Sequence, residues 1–78
     1  VYMLLCDDNT IYTGITNDLK KRFENHILGK GAKYLRGRKP LEIVYTENFQ
    51  NRSMATKREM EIKKLNRKEK EILIKTIQ

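Results

Sequence analysis

The chain has 78 residues, with 17 Lys or Arg against 10 Asp or Glu, for a formal charge of +7. That length predicts one domain spanning residues 1–78, small enough to bury only about 60% of the surface its unfolded chain exposes. No run approaches the roughly 18 apolar residues of a membrane span, Val1–Cys6 is too short for a signal peptide, and a single Cys and a single His exclude an internal disulfide, a multi-Cys zinc site and a paired-His metal site.

A reduced, cytoplasmic setting is expected, with no membrane partner. The positive excess points to an anionic partner, nucleic acid ahead of a lipid surface. Val1–Cys6 (VYMLLC) suits a strand, and Asp7-Asp8-Asn9 is turn chemistry. Ile11–Ile15 resumes with β-branched and aromatic residues, so the two runs predict an antiparallel hairpin. Tyr2 and Tyr12, on its opposite arms, can share a face. Gly14 is odd in a strand interior and marks a place where a backbone or ligand must come close.

Thr16-Asn17-Asp18 offers N-cap oxygens for a helix in which Leu19, Phe23 and Ile27 form the apolar stripe and Gly29 is the stop. Arg22 and His26, four apart, fall in a row along the rim of that stripe. A solvated polar edge is the plain reading of this pair; a guanidinium and an imidazole facing a groove beside the hairpin is the sharper one.

Lys30 to Lys39 contains Lys30, Lys33, Arg36, Arg38 and Lys39 and no acidic residue, a basic loop closed by Pro40. Leu41–Tyr45 predicts a third strand, with Phe49 as its furthest extension. Asn51 to Ser53 caps a second helix running to about Leu65, with Met54, Ala55, Ile62 and Leu65 on one side. Glu59 falls at the margin of that side and Arg58 nearer its centre, and an ion pair is expected for either. Asn66 and Glu69 have capping-box spacing for a last helix with Leu73, Ile74 and Ile77 on one face. The order strand, strand, helix, strand, helix, helix predicts an α+β fold with helices packed on a three-stranded antiparallel sheet.

Taken together and in order, Tyr2 within VYMLL, Tyr12-Thr13-Gly14, Arg22 with His26, and Glu59 in ATKREMEIK resemble the GIY-YIG nuclease family, above all its small stand-alone members. The likeness covers nearly the whole chain. It departs from the pattern at the residues before the first tyrosine and at Thr13, where Ile is usual.

The resemblance implies a metal-dependent endonuclease that hydrolyses phosphodiester bonds in DNA, with RNA left open. Branched or flapped structures in repair or recombination would be its substrates. It implies Tyr2, Tyr12, Arg22 and His26 as catalytic residues and Glu59 as ligand to one Mg²⁺ or Mn²⁺ ion, held weakly without substrate, with no small-molecule cofactor. Tyr2 would activate the attacking water with help from His26, Tyr12 would orient water or phosphate, and Arg22 would meet the developing charge. Gly14, Lys30, Lys33, Tyr34, Arg36, Arg38 and Lys39 would face nucleic acid, the cations on phosphates and Tyr34 stacked on a base. The competing expectation is a non-catalytic nucleic-acid-binding module on the same fold, which explains the charge equally well but has no use for the five side chains together.

Overall fold

The structure is a computed structural model that describes residues 1–30 and 37–76. Strand β1 (Tyr2–Cys6) turns through Asp7–Asn9 into β2 (Ile11–Gly14). Helix α1 (Leu19–Ile27), strand β3 (Pro40–Thr46) and helices α2 (Arg52–Lys63) and α3 (Arg67–Lys75) follow. The sheet order is β2-β1-β3, and both pairings are antiparallel. The α+β fold and its element order are as the sequence predicts.

Local chemistry sets the turns. The Cys6 amide donates to the Thr10 carbonyl and the Asn9 amide to the Cys6 carbonyl, with Asn9 at φ 68°, a left-handed conformation that Asn tolerates. Asp8 accepts from both the amide and the hydroxyl of Thr10. Each helix opens on a side-chain cap: Asp18 takes the Lys21 amide, Asn51 the Met54 amide, and Asn66 with Glu69 closes the full capping box. Gly29, at φ 78°, ends α1 in the left-handed conformation that favours glycine.

β1 is the central strand, and its alternation feeds two cores. Tyr2, Leu4 and Cys6 face α1, packed with Tyr12, Leu19 and Phe23. On the opposite face Met3, Ile11 and Tyr45 pack on Ile62 of α2, with Leu73 and Ile74 of α3 alongside. Helices therefore cover both faces of the sheet.

Four expectations need correction. Ile27 is 50% exposed, and His26, not Ile27, closes the packed face of α1 at 3% exposure. At about 100° per residue His26 lies within about 20° of Leu19, whereas Ile27 lies about 80° away, so the face is centred on Leu19 and His26. The third strand begins at the buried Pro40 and stops at Thr46, short of Phe49; a proline is tolerated at a strand's first position. β2 ends at Gly14, one residue before Ile15, and α2 ends at Lys63 with Met54 exposed. Lys33, Tyr34, Arg36 and Ile77 lie outside the described residues.

Candidate active site

Register decides which side chains meet. Tyr2 stands opposite Gly14 and Leu4 opposite Tyr12, so the two tyrosines are diagonal neighbours on one face. Their ring centroids are 6.2 Å apart. The space between them exists because residue 14 has no side chain. A Cβ there would lie 2.7 Å from the Tyr2 hydroxyl oxygen, 2.9 Å from its Cζ and 3.1 Å from Tyr12 Cε2. The close neighbour that the sequence foreshadowed at Gly14 is thus the Tyr2 ring.

α1 supplies the other half. The Tyr2 hydroxyl and His26 Nε2 are 2.9 Å apart, in a buried contact between residues 24 positions apart in sequence. The His26 ring meets Tyr12 edge-on at 5.5 Å. One turn earlier, the Arg22 guanidinium lies against the Tyr2 and Tyr12 hydroxyls, and hydrogen bonding to Tyr2 is the main reason its pKa is raised. Arg22 Nε and His26 Nδ1 are buried with no hydrogen-bond partner among the described residues.

The electrostatics favour neutral rings. Burial pushes the Tyr2 phenol above its usual pKa of 10, with the Arg22 hydrogen bond opposing. Burial, reinforced by the Arg22 charge, holds His26 below 6.5. At pH 7 Tyr2 is therefore a phenol and His26 a neutral imidazole, and the single fixed charge in the cluster is the Arg22 cation. A phenol on a neutral imidazole beside a guanidinium can pass a proton and receive an anion.

Glu59 reaches the same end of the sheet from α2. Its side chain is 17% exposed and pairs with Lys63 Nζ at 3.5 Å, and its charge acts on the amino group of Val1, next to Tyr2. Among the described residues no three His, Cys, Asp or Glu side chains gather into a metal-holding set. A single half-buried carboxylate fits an oxygen-seeking ion that keeps most of its own water shell, as Mg²⁺ does. Arg58, its neighbour on the helix, is an ion-pair residue as expected: Nε sits 3.0 Å from Glu47 Oε1, and Glu47 also accepts the Tyr45 hydroxyl.

The basic segment divides. Lys30 and Lys39 are exposed, but Arg38 Nε is 2.7 Å from Asp8 and the Lys39 amide bonds Asp7, which ties this end to the β1–β2 turn. A feature that the sequence did not disclose is a groove of about 670 Å³ between the β2–α1 connection and the β3–α2 connection, with Arg22 on its wall. Its loop residues follow no periodic pattern, and only the position of Arg22 beside them gives them meaning.

A family model for the GIY-YIG catalytic domain matches residues 1–72. The chain belongs to the GIY-YIG family. Among its relatives it is 51% identical over 74 residues to a UPF0213 protein of Natronomonas pharaonis, covering 95% of this chain and 87% of that one. Identity to a UPF0213 protein of Clostridium perfringens is 53% over 74 residues, covering 95% and 80%. The solution NMR structure of a UPF0213 protein from Bacillus halodurans superposes with a TM-score of 0.63 at 45% identity, over 97% of this chain and 81% of that one. The GIY-YIG family is a nuclease family, which makes nucleic acid the class of substrate, and its members generally use divalent metal ions. No helix among the described residues is long and apolar enough to cross a membrane.

Proposed function

We propose that this GIY-YIG chain is a divalent-metal-dependent endonuclease that hydrolyses phosphodiester bonds in DNA, acting on branched or flapped structures. One observation carries the reading: the buried contact of the Tyr2 hydroxyl with His26 Nε2, with Arg22 against both tyrosines. A binding module needs the cation but not a phenol on an imidazole.

In this mechanism Arg22 receives the scissile phosphate, and its fork of donors meets the charge that grows on the phosphate oxygens during attack. Tyr12 positions the water or the phosphate through its hydroxyl. Tyr2 takes a proton from the attacking water as its own passes to His26 Nε2, so no phenolate need persist; the Nδ1–H, Nε2-lone-pair tautomer of His26 serves this transfer. At rest the transfer is uphill, because burial opposes both a tyrosinate and an imidazolium. The Arg22 charge is the second cause of the lowered His26 pKa, and a phosphate anion on Arg22 offsets it. Substrate binding therefore raises the basicity of the imidazole that accepts the proton. Glu59 would hold Mg²⁺ or Mn²⁺, which when bound supplies Lewis-acid stabilisation of the phosphate oxygens.

Single-turnover cleavage beside equilibrium binding tests this. Tyr2→Phe keeps the ring and should bind DNA as wild type does while cleaving about 10²–10⁴-fold more slowly, the usual worth of general-base catalysis. Arg22→Ala should cleave about 10²–10³-fold more slowly, by analogy with loss of one oxyanion-stabilising donor. A wild-type protein that binds branched, flapped and linear DNA but cuts none of them with Mg²⁺ or Mn²⁺ is a binding module, and the nuclease reading fails.

A further inference from the structure

Phe49 is half-buried yet belongs to neither apolar cluster of the sheet. It lines the groove that begins at Arg22. Beside it Asn17, Asn48 and Gln50 carry exposed side-chain amides that bond to no described residue, and Arg52, also on the lining, has no ion pair among the described residues. The one acidic residue of the lining, Glu47, has its carboxylate occupied by Arg58 and Tyr45. The groove thus combines an aromatic face, unpaired amides and two cations. Its volume of about 670 Å³ lies within the roughly 300–1,000 Å³ usual for small-molecule sites.

We propose that this groove receives an unpaired DNA nucleotide flanking the cleaved phosphate, its base stacked on Phe49 and its edge met by the amides of Asn48 and Gln50. The site rests on the nuclease reading for the strand's position, since Arg22 would hold the scissile phosphate at the groove's wall. The unpaired state follows from the aromatic contact. Within a duplex each face of a base is covered by its stacked neighbour, so Phe49 is usable only by a base that has left the stack. Arg52 would take the next phosphate along the strand. A single-stranded arm at a fork presents such a nucleotide, whereas a blunt duplex does not.

The test is equilibrium binding in EDTA, so that no metal-dependent cutting intervenes, using forked duplexes with short unpaired arms. A single abasic residue is moved through each arm position in turn. At one position near the junction, wild type should bind the abasic fork about 5- to 100-fold more weakly than the intact fork, the worth of one base–aromatic stack. Phe49→Leu, which keeps an apolar side chain, should bind the abasic fork as wild type does and lose the discrimination; its thermal melting shows that it is folded. Asn48→Ala with Gln50→Ala should keep the abasic effect and even out the preference among the four bases. If no position discriminates in wild type, or if Phe49→Leu discriminates equally well, the groove is not a base site. Because no step depends on cleavage, loss of the nuclease reading in the assay with Mg²⁺ or Mn²⁺ stays separate from loss of this one.

Discussion

Replacing Gly14 with Ala adds one methyl group at the tightest point of the candidate site. The new carbon would lie 2.7 Å from the Tyr2 hydroxyl oxygen and 2.9 Å from Cζ, distances that packed Cβ atoms do not tolerate. Tyr2 cannot swing aside cheaply, because it is 1% exposed and held between β2 and α1. Gly14 is not in a left-handed conformation, so the penalty is spatial and not one of backbone strain. Overpacking of a filled core costs about 1–3 kcal/mol. At about 2 kcal/mol, a domain of this size loses roughly 8–16 °C in Tm. The chemistry should suffer more than the fold: displacing the Tyr2 hydroxyl from His26 by as much as 1 Å can cost about 10²-fold in rate. Thermal unfolding and single-turnover cleavage measure the two effects. A Tyr2→Phe background removes the 2.7 Å clash and leaves the 2.9 Å one, so Gly14→Ala should cost less there, and the double mutant should lose less than the sum of the two single losses in a double-mutant cycle. A Gly14→Ala protein as stable and as active as wild type would refute the spatial account, and with it the claim that glycine makes room for the tyrosine.

Glu59→Gln should keep the fold, since the shape is unchanged, and abolish Mg²⁺-dependent cleavage; Arg58→Gln should instead lose about 1–2 kcal/mol in urea unfolding, the discounted worth of a half-exposed charged hydrogen bond, and cut in proportion to the folded fraction. Since His26 has a folded-state pKa below 6.5, the unfolded chain binds more protons over the interval between that value and 6.5. Stability supplied by neutral His26 should therefore be full above about pH 6.5 and fall as the solution is acidified through the lowered pKa, and unfolding of His26→Gln at pH 7.5 and 5.5 should lack that loss. Joint replacement of Lys33, Arg36 and Arg38 by Ala should flatten the log–log salt dependence of duplex binding by about 0.9 for each phosphate contact removed; an unchanged slope takes the segment out of the interface.

What the sequence disclosed was local. Side-chain caps at Asp18, Asn51 and Asn66 act within three residues, so their spacing alone placed the helix starts. The meeting of Tyr2 and Tyr12 followed from a short turn and the period-2 alternation of strands. The rotation of α1 did not follow, because a hydropathy pattern ranks Ile27 above His26 for burial. His26 is inside because the Tyr2 hydroxyl, 24 residues away, satisfies its ring nitrogen, and no window along the helix contains that partner. Arg22 reads as a rim residue for the same reason, and its position against two hydroxyls is again a tertiary fact. The groove was illegible because Asn48, Phe49 and Gln50 lie in a connection without periodicity, and their common outlook is set by how β3 hands over to α2.

The edge strand β3 departs from strict pairing twice. Met3 faces Tyr45 but Leu4 faces Ile43, and Leu5 faces Glu42 but Cys6 faces Pro40, so Val44 and Leu41 are each an extra residue on the outer strand. Every such insertion twists the free edge and breaks the even row of amides and carbonyls that a foreign strand would need as a template. With the exposed Leu41 and Ile43 on it, a regular edge would invite copies of the chain to stack side by side as ribbons. The interrupted edge disfavours that partnership along β3.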